Sequence, residues 1–164
     1  MLFLFRSLLC LLAVLALSGC HRSPLMNQED SQPSLSHLQS FGIQTITMGD
    51  TVRIIIPARD IFMPQAQTRV MTAQQPALLE LAKALKSYKH NSIRVVGYTN
   101  NMGSSNSRFN RSFYQAESVA AYLWNAGIPI QQITVVGMGS EGPVSSNATP
   151  EGSAANSRVE ILIN

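Results

Sequence analysis

The sequence predicts an α+β fold in which two helices pack on one mixed sheet, in the order β-β-α-β-α-β-β. Three observations predict it. Short β-branched runs recur along the chain, two longer segments repeat apolar residues at helical spacing, and Gly or Pro punctuates the boundaries between them. Thr45-Ile46-Thr47-Met48 and Thr51 to Ile56 read as two strands around a Gly49-Asp50 turn, and Pro57 stops the second. Pro76 opens a helix where its missing N–H costs least. Leu78, Leu81, Ala82 and Leu85 share one face of that helix, with Lys83, Lys86 and Lys89 largely away from it and His90-Asn91 at its end. Ile93 to Val96 is the next strand. A second helix is expected from about Ser107 to Ala126, because Phe109, Phe113, Ala116, Ala120 and Leu123 recur every three or four residues; Gly127 and Pro129 end it. Ile133 to Val136 and Arg158 to Ile163 are the last strands, and Gly139 to Ser157, with Gly142, Pro143, Pro150 and Gly152, reads as loop.

The N-terminus is an address. Arg6 precedes an apolar stretch from Leu8 to Leu17. Ten such residues rise only about 15 Å as a helix, roughly half of a hydrocarbon core, so a cleaved secretory signal fits better than a spanning helix. Leu17-Ser18-Gly19-Cys20 resembles the lipobox of bacterial lipoproteins. That resemblance implies cleavage before Cys20 and acylation of both its thiol and its new amino group; an ordinary signal peptide or an uncleaved anchor is the alternative. Three acyl chains at about 0.8 kcal/mol per buried methylene make dissociation negligible. His21, not Asp, follows the cysteine, which by analogy with enterobacterial sorting favours the outer membrane. Residues 21–40 are polar, carry Pro24 and Pro33 and lack an apolar period, so they read as a flexible tether with the domain beginning at Phe41.

Composition excludes several classes. A chain of 164 residues has room for one domain, and 45% hydrophobic against 13% charged residues excludes a disordered arm. The basic residues are scattered singly, so no nucleic-acid footprint exists. Removing residues 1–19 would remove Arg6 alone, leaving eleven basic against nine acidic side chains, a formal +2. Both cysteines, Cys10 and Cys20, precede the domain, which excludes a disulfide framework or a cysteine-based metal site there.

Several segments together resemble the OmpA-like C-terminal domain of outer-membrane protein A, the peptidoglycan-associated lipoprotein and flagellar stator subunits. They are Gly97-Tyr98-Thr99-Asn100-Asn101-Met102-Gly103, the helix from Ser112 to Leu123, Gly127-Ile128-Pro129, Ile133 to Gly139, Pro143, Asn147 with Thr149 to Gly152, and Asn156 to Glu160. The resemblance covers about residues 41–164. It implies a domain that binds the peptide stem of peptidoglycan without covalent chemistry: an Asp in a Gly-His-Thr-Asp motif takes the ammonium of diaminopimelate, and an Arg on the following helix takes its carboxylate. Here Thr99 keeps its place, but Tyr98 stands at the His position, Asn100 at the Asp position and Gln115 at the Arg position. Hydrogen bonds to charged groups contribute about 1.5–3 kcal/mol each. Losing two of them would cost about 100-fold to over 10,000-fold in affinity. Peptidoglycan binding is therefore expected to be weak or absent. Arg111, one helical turn before Gln115, and Arg108 are candidate substitute cations; otherwise they form a solvated face. Glu117 falls on the wrong side of the helix to replace the lost acid.

No constellation supports catalysis, and no cofactor is expected beyond the lipid on Cys20. His21 and His37 fall in the tether, and His90 suits a helix C-terminus. No serine sits in a Gly-x-Ser-x-Gly elbow, and Gly137-Met138-Gly139 lacks the third glycine of a dinucleotide loop. Tyr88, Tyr114, Tyr122 and Trp124 read as core or rim aromatics. The layout is also similar to small lipoproteins of Dot/Icm type IVB secretion core complexes. The expected role is a structural component of such an envelope-spanning assembly, its protein partners covering a patch around Tyr98, Tyr114 and Tyr122. The alternative is a tether between outer membrane and cell wall.

Overall fold

The computed structural model describes residues 35–88 and 92–164. The signal segment, Cys20, most of the tether and the His90-Asn91 helix end lie outside the described residues. A 3-10 helix, Leu35–Phe41, precedes the first strand, and Leu38 is buried in the core. The boundary drawn at Phe41 therefore falls at the end of that 3-10 helix, and Leu38 before it already buries in the core, which the polar residues around it hide.

Strands β1 (Gln44–Met48) and β2 (Thr51–Pro57) form the hairpin expected around Gly49. A four-residue helix, α1 (Ala58–Ile61), follows directly. Helix α2 (Gln75–Ser87) buries Leu78, Leu81, Ala82 and Leu85, the face its spacing predicts. Then come β3 (Ile93–Tyr98), α3 (Ser105–Asn125), β4 (Ile133–Gly137), α4 (Pro150–Asn156) and β5 (Arg158–Ile163). The sheet runs β1-β2-β5-β3-β4, so the last strand enters the middle. β3 and β4 are parallel, joined by α3 as a crossover, and the other neighbours are antiparallel. Ile54, Ile56, Val95, Val159 and Ile161 meet Leu78, Leu81, Leu85, Val119 and Leu123 in one core.

Two expectations change. The segment from Gly139 to Ser157 is not all loop. Thr149 caps α4 by accepting a hydrogen bond from Gly152 N (3.1 Å), with Pro150 in the first turn, and buried Asn156 pins the preceding loop through Val144 N, Ser145 N and Ser145 O. The buried face of α3 also differs: it is Ser112, Gln115, Ala116, Val119, Ala120 and Leu123, while Phe109 is half exposed and Phe113 only partly buried. The helix lies too close to the sheet to admit a Phe ring. A Cβ on Gly97 would stand 1.9 Å from Ser112 O, and one on Gly137 would stand 2.8 Å from Phe113 N. Small residues therefore face the sheet, and the rings of Phe109 and Phe113 stack beside it, 6.4 Å apart.

Candidate ligand pocket

The close seat of α3 on β3 brings the end of that strand, the first half of α3, α1 and the segment after it around one cavity of about 330 Å³. Thr99, Asn100, Arg111 and Gln115 line it, together with Arg59 and Gln67. Thr99 is buried; its backbone N–H donates to Gly139 O (2.7 Å) and its hydroxyl to Asn100 O (3.0 Å). Asn100 is held from three sides. Its backbone N–H donates to Ser157 Oγ (3.2 Å), its Nδ2 to Ser153 Oγ (3.0 Å), and its Oδ1 accepts from Met102 N (3.2 Å). Helix α4 supplies Ser153 and its C-cap Ser157, so the segment read as loop forms one wall of the cavity.

Gln115 is 4% exposed and its Nε2 donates to Gln67 O (2.7 Å). Arg111, one turn earlier on the same face, donates from Nη1 to Gln67 Oε1 (3.1 Å) and from Nη2 to Met102 O (2.9 Å). A solvated face does not describe Arg111: its guanidinium is drawn between two loops and lines the cavity. Arg108 does something else. Its Nη1 donates to Gly103 O and Asn101 O and its Nη2 to Ser105 Oγ, which fastens the loop before α3. Among the described residues, four buried side-chain polar atoms lack a partner, and two of them, Arg111 Nε and Gln115 Oε1, belong to this cavity.

Tyr98 is not brought to the cavity. Gly97 faces α3, so strand alternation turns Tyr98 to the other face of the sheet. There it pairs across the ladder with Arg158, whose Cζ lies 4.0 Å from the ring centroid. Burial raises the Tyr98 hydroxyl above its ordinary pKa, and the Glu160 carboxylate adds to the rise. Glu160 itself is buried and accepts from Arg158 Nε at 2.7 Å. Tyr98 consequently does not share a patch with Tyr114 and Tyr122: it lies under Arg158, whereas Tyr114 is half exposed on α3 and Tyr122 packs partly against the core. Tyr88 and Trp124 are rim residues, each exposed by more than two fifths. Glu117 is exposed and does not line the cavity.

Sequence reasoning missed Arg59, Gln67, Ser153 and Ser157. Residues 62–70 fold back through an isolated Phe62–Val70 bridge and a Met63 N to Arg69 O bond, and dock on α3 through Gln67 and Thr68. Their one readable signal is Met63-Pro64, a turn. No cluster of three or more His, Cys, Asp or Glu suited to a metal occurs among the described residues, and none of their helices is long and apolar enough to cross a membrane.

The chain is 31% identical over 126 residues to the probable lipoprotein YiaD of Escherichia coli, covering 77% of this chain and 57% of YiaD. It is 29% identical over 150 residues to the outer-membrane lipoprotein YfiB of Pseudomonas aeruginosa, covering 92% of this chain and 87% of YfiB. The solved structure of the cell wall anchor of the type VI secretion system from Pseudomonas aeruginosa superposes with a TM-score of 0.71 at 26% identity, over 80% of this chain and 97% of that one. The chain thus spans less than two thirds of YiaD but most of the length of the other two. The OmpA family model matches residues 62–157, more than half of the chain and every residue of the cavity wall except those of α1, and the chain belongs to the OmpA family.

Proposed function

We propose that this chain is a non-catalytic lipoprotein of the Gram-negative outer membrane, lipidated at Cys20, whose periplasmic domain contacts the cell wall through the Arg111 cavity. The observation that carries this reading is the placement of Arg111. A neutral Gln115 stands where the family resemblance implies an arginine, and a guanidinium one turn away on the same face lines the same cavity. A carboxylate on Arg111 is thereby retained, while Asn100 cannot offer a charge to an ammonium. The outer-membrane lipoprotein YfiB, matched over nearly its whole length, and the secretion-system cell wall anchor both favour this reading. The test is co-sedimentation of the detergent-solubilised full chain with purified sacculi. The wild type sediments and Arg111→Ala loses at least tenfold in affinity, the effect of about 1.4 kcal/mol from one charge-assisted contact. Equal sedimentation of the two would refute the role given to Arg111.

A second reading makes the chain a structural component of an envelope-spanning assembly, such as a Dot/Icm type IVB secretion core complex. The side chain of Asn100 favours it, being spent on Ser153 and Met102 rather than held for a ligand, as does the likeness to an anchor from a secretion system. In that case in-cell crosslinking from half-exposed Tyr114 captures envelope proteins, and Arg111→Ala changes nothing.

A further inference from the structure

The chemistry of the cavity defines which end of a wall peptide it fits, and this inference rests on the cell-wall reading above. Two arginines, Arg59 and Arg111, line the cavity, and among the described residues no Asp or Glu does. Arg59 already has a neighbouring carboxylate, with its Nε 3.6 Å from Asp60 Oδ1, whereas Arg111 meets only neutral oxygens, those of Gln67 and Met102. The free positive charge in the cavity is therefore that of Arg111. Nothing there pairs with an ammonium, and a zwitterionic amino acid would bring its positive end among guanidinium groups with no compensating anion.

Two unpartnered atoms complete the pattern. Arg111 Nε is a donor without an acceptor, and Gln115 Oε1 is an acceptor without a donor on a side chain that is 4% exposed. Leaving both unmet in the interior is unfavourable, so the arrangement suits a ligand that brings a carboxylate and an N–H together. An N-acylated amino acid has these two groups on one carbon. We propose that the cavity takes the carboxyl terminus of a wall stem peptide: its carboxylate on Arg111 and the amide N–H of its last residue on Gln115 Oε1. Gln67 Oε1 now accepts from Arg111 Nη1 and stands in for a ligand oxygen. A carboxylate makes the stronger, charge-assisted bond there and displaces it.

The test uses the full chain in detergent and three small probes, followed by NMR titration. Acetyl-Ala-Ala carries the carboxylate and the amide N–H, alanine is the zwitterion, and acetyl-Ala-Ala amide lacks the carboxylate. Acetyl-Ala-Ala binds at least tenfold more tightly than either of the others, and Gln67→Ala tightens it severalfold. Alanine binding as well as acetyl-Ala-Ala, or the capped amide matching it, overturns the proposal. A second arm compares intact sacculi with sacculi whose peptide carboxyl groups have been amidated. Amidation abolishes co-sedimentation if the wall supplies the carboxylate. If amidation has no effect while acetyl-Ala-Ala still binds, the carboxyl terminus belongs to a protein and the proposal fails. Failure of the chain to sediment with untreated sacculi overturns the cell-wall reading itself, so the two failures are distinct.

Discussion

Arg111 and Gln115, one helical turn apart, line the same cavity. Residues four apart on a helix share a face, so an arginine at 111 reaches the region that a side chain at 115 reaches, from a different height. That much was legible in the spacing of Arg111 and Gln115. What spacing does not contain is Gln67, forty-four residues from Arg111 in the chain and in hydrogen-bond contact with it, because no local period foretells a long-range polar contact. Tyr98 shows the opposite limit. Its motif position places it beside Thr99 and Asn100, but the two-residue period of a strand turns its ring to the far face, onto Arg158. The raised pKa of its hydroxyl has a consequence for stability, since the folded chain favours the neutral phenol through burial and then through Glu160. The resulting stability is fully present below pH 10.0, the ordinary tyrosine value, and is lost as pH rises through the folded-state value. Tyr98→Phe keeps the ring under Arg158 and removes the titration. Urea midpoints at pH 8 and pH 11 are expected to fall less between the two pH values in Tyr98→Phe than in the wild type.

Among the elements, α3 places both Arg111 and Gln115 at the cavity, and its seat is set by glycine. Gly97 and Gly137 leave room for the backbone of α3 around Ser112 and Phe113, and this approach holds Arg111 and Gln115 over the end of β3. Helical spacing correctly locates α3 to within two residues at its start and one at its end, but it misassigns its face: five apolar residues at regular intervals include two Phe rings that the narrow gap excludes. Helix α4 escaped because seven residues are too few to show a period; Thr149-Pro150 was its available signal, a cap followed by a first-turn proline. Gly97→Ala tests the role of the gap. A Cβ 1.9 Å from Ser112 O forces the helix outward, at the upper end of overpacking costs, about 3 kcal/mol or more. The expected outcome in chemical denaturation is a correspondingly lower midpoint, with weakened sacculus binding in the fraction that remains folded.

At the scale of the molecule, the strand order is the feature least accessible to sequence reading. Order along the chain indicated five strands and the α+β class, but the insertion of β5 between β2 and β3 depends on long-range pairing that strand propensity does not encode. That insertion shapes the cavity, since it carries Ser153 of α4 and the C-cap Ser157 back to Asn100 at the end of β3. The described residues begin at Leu35, with fourteen residues between it and Cys20, a length of chain that can reach at most about 50 Å when extended. A lipid anchor on Cys20 and a wall contact through this cavity, as proposed, make a bridge only if both work in one chain. The most direct measurement is therefore sedimentation of liposomes with purified sacculi, the liposomes carrying the full chain acylated at Cys20. Liposomes bearing the wild type are expected to sediment with the sacculi, whereas those prepared with Cys20→Ser or with Arg111→Leu stay in the supernatant. Wild-type liposomes that fail to sediment, or Arg111→Leu liposomes that sediment as well as the wild type, would contradict a wall contact made through this cavity.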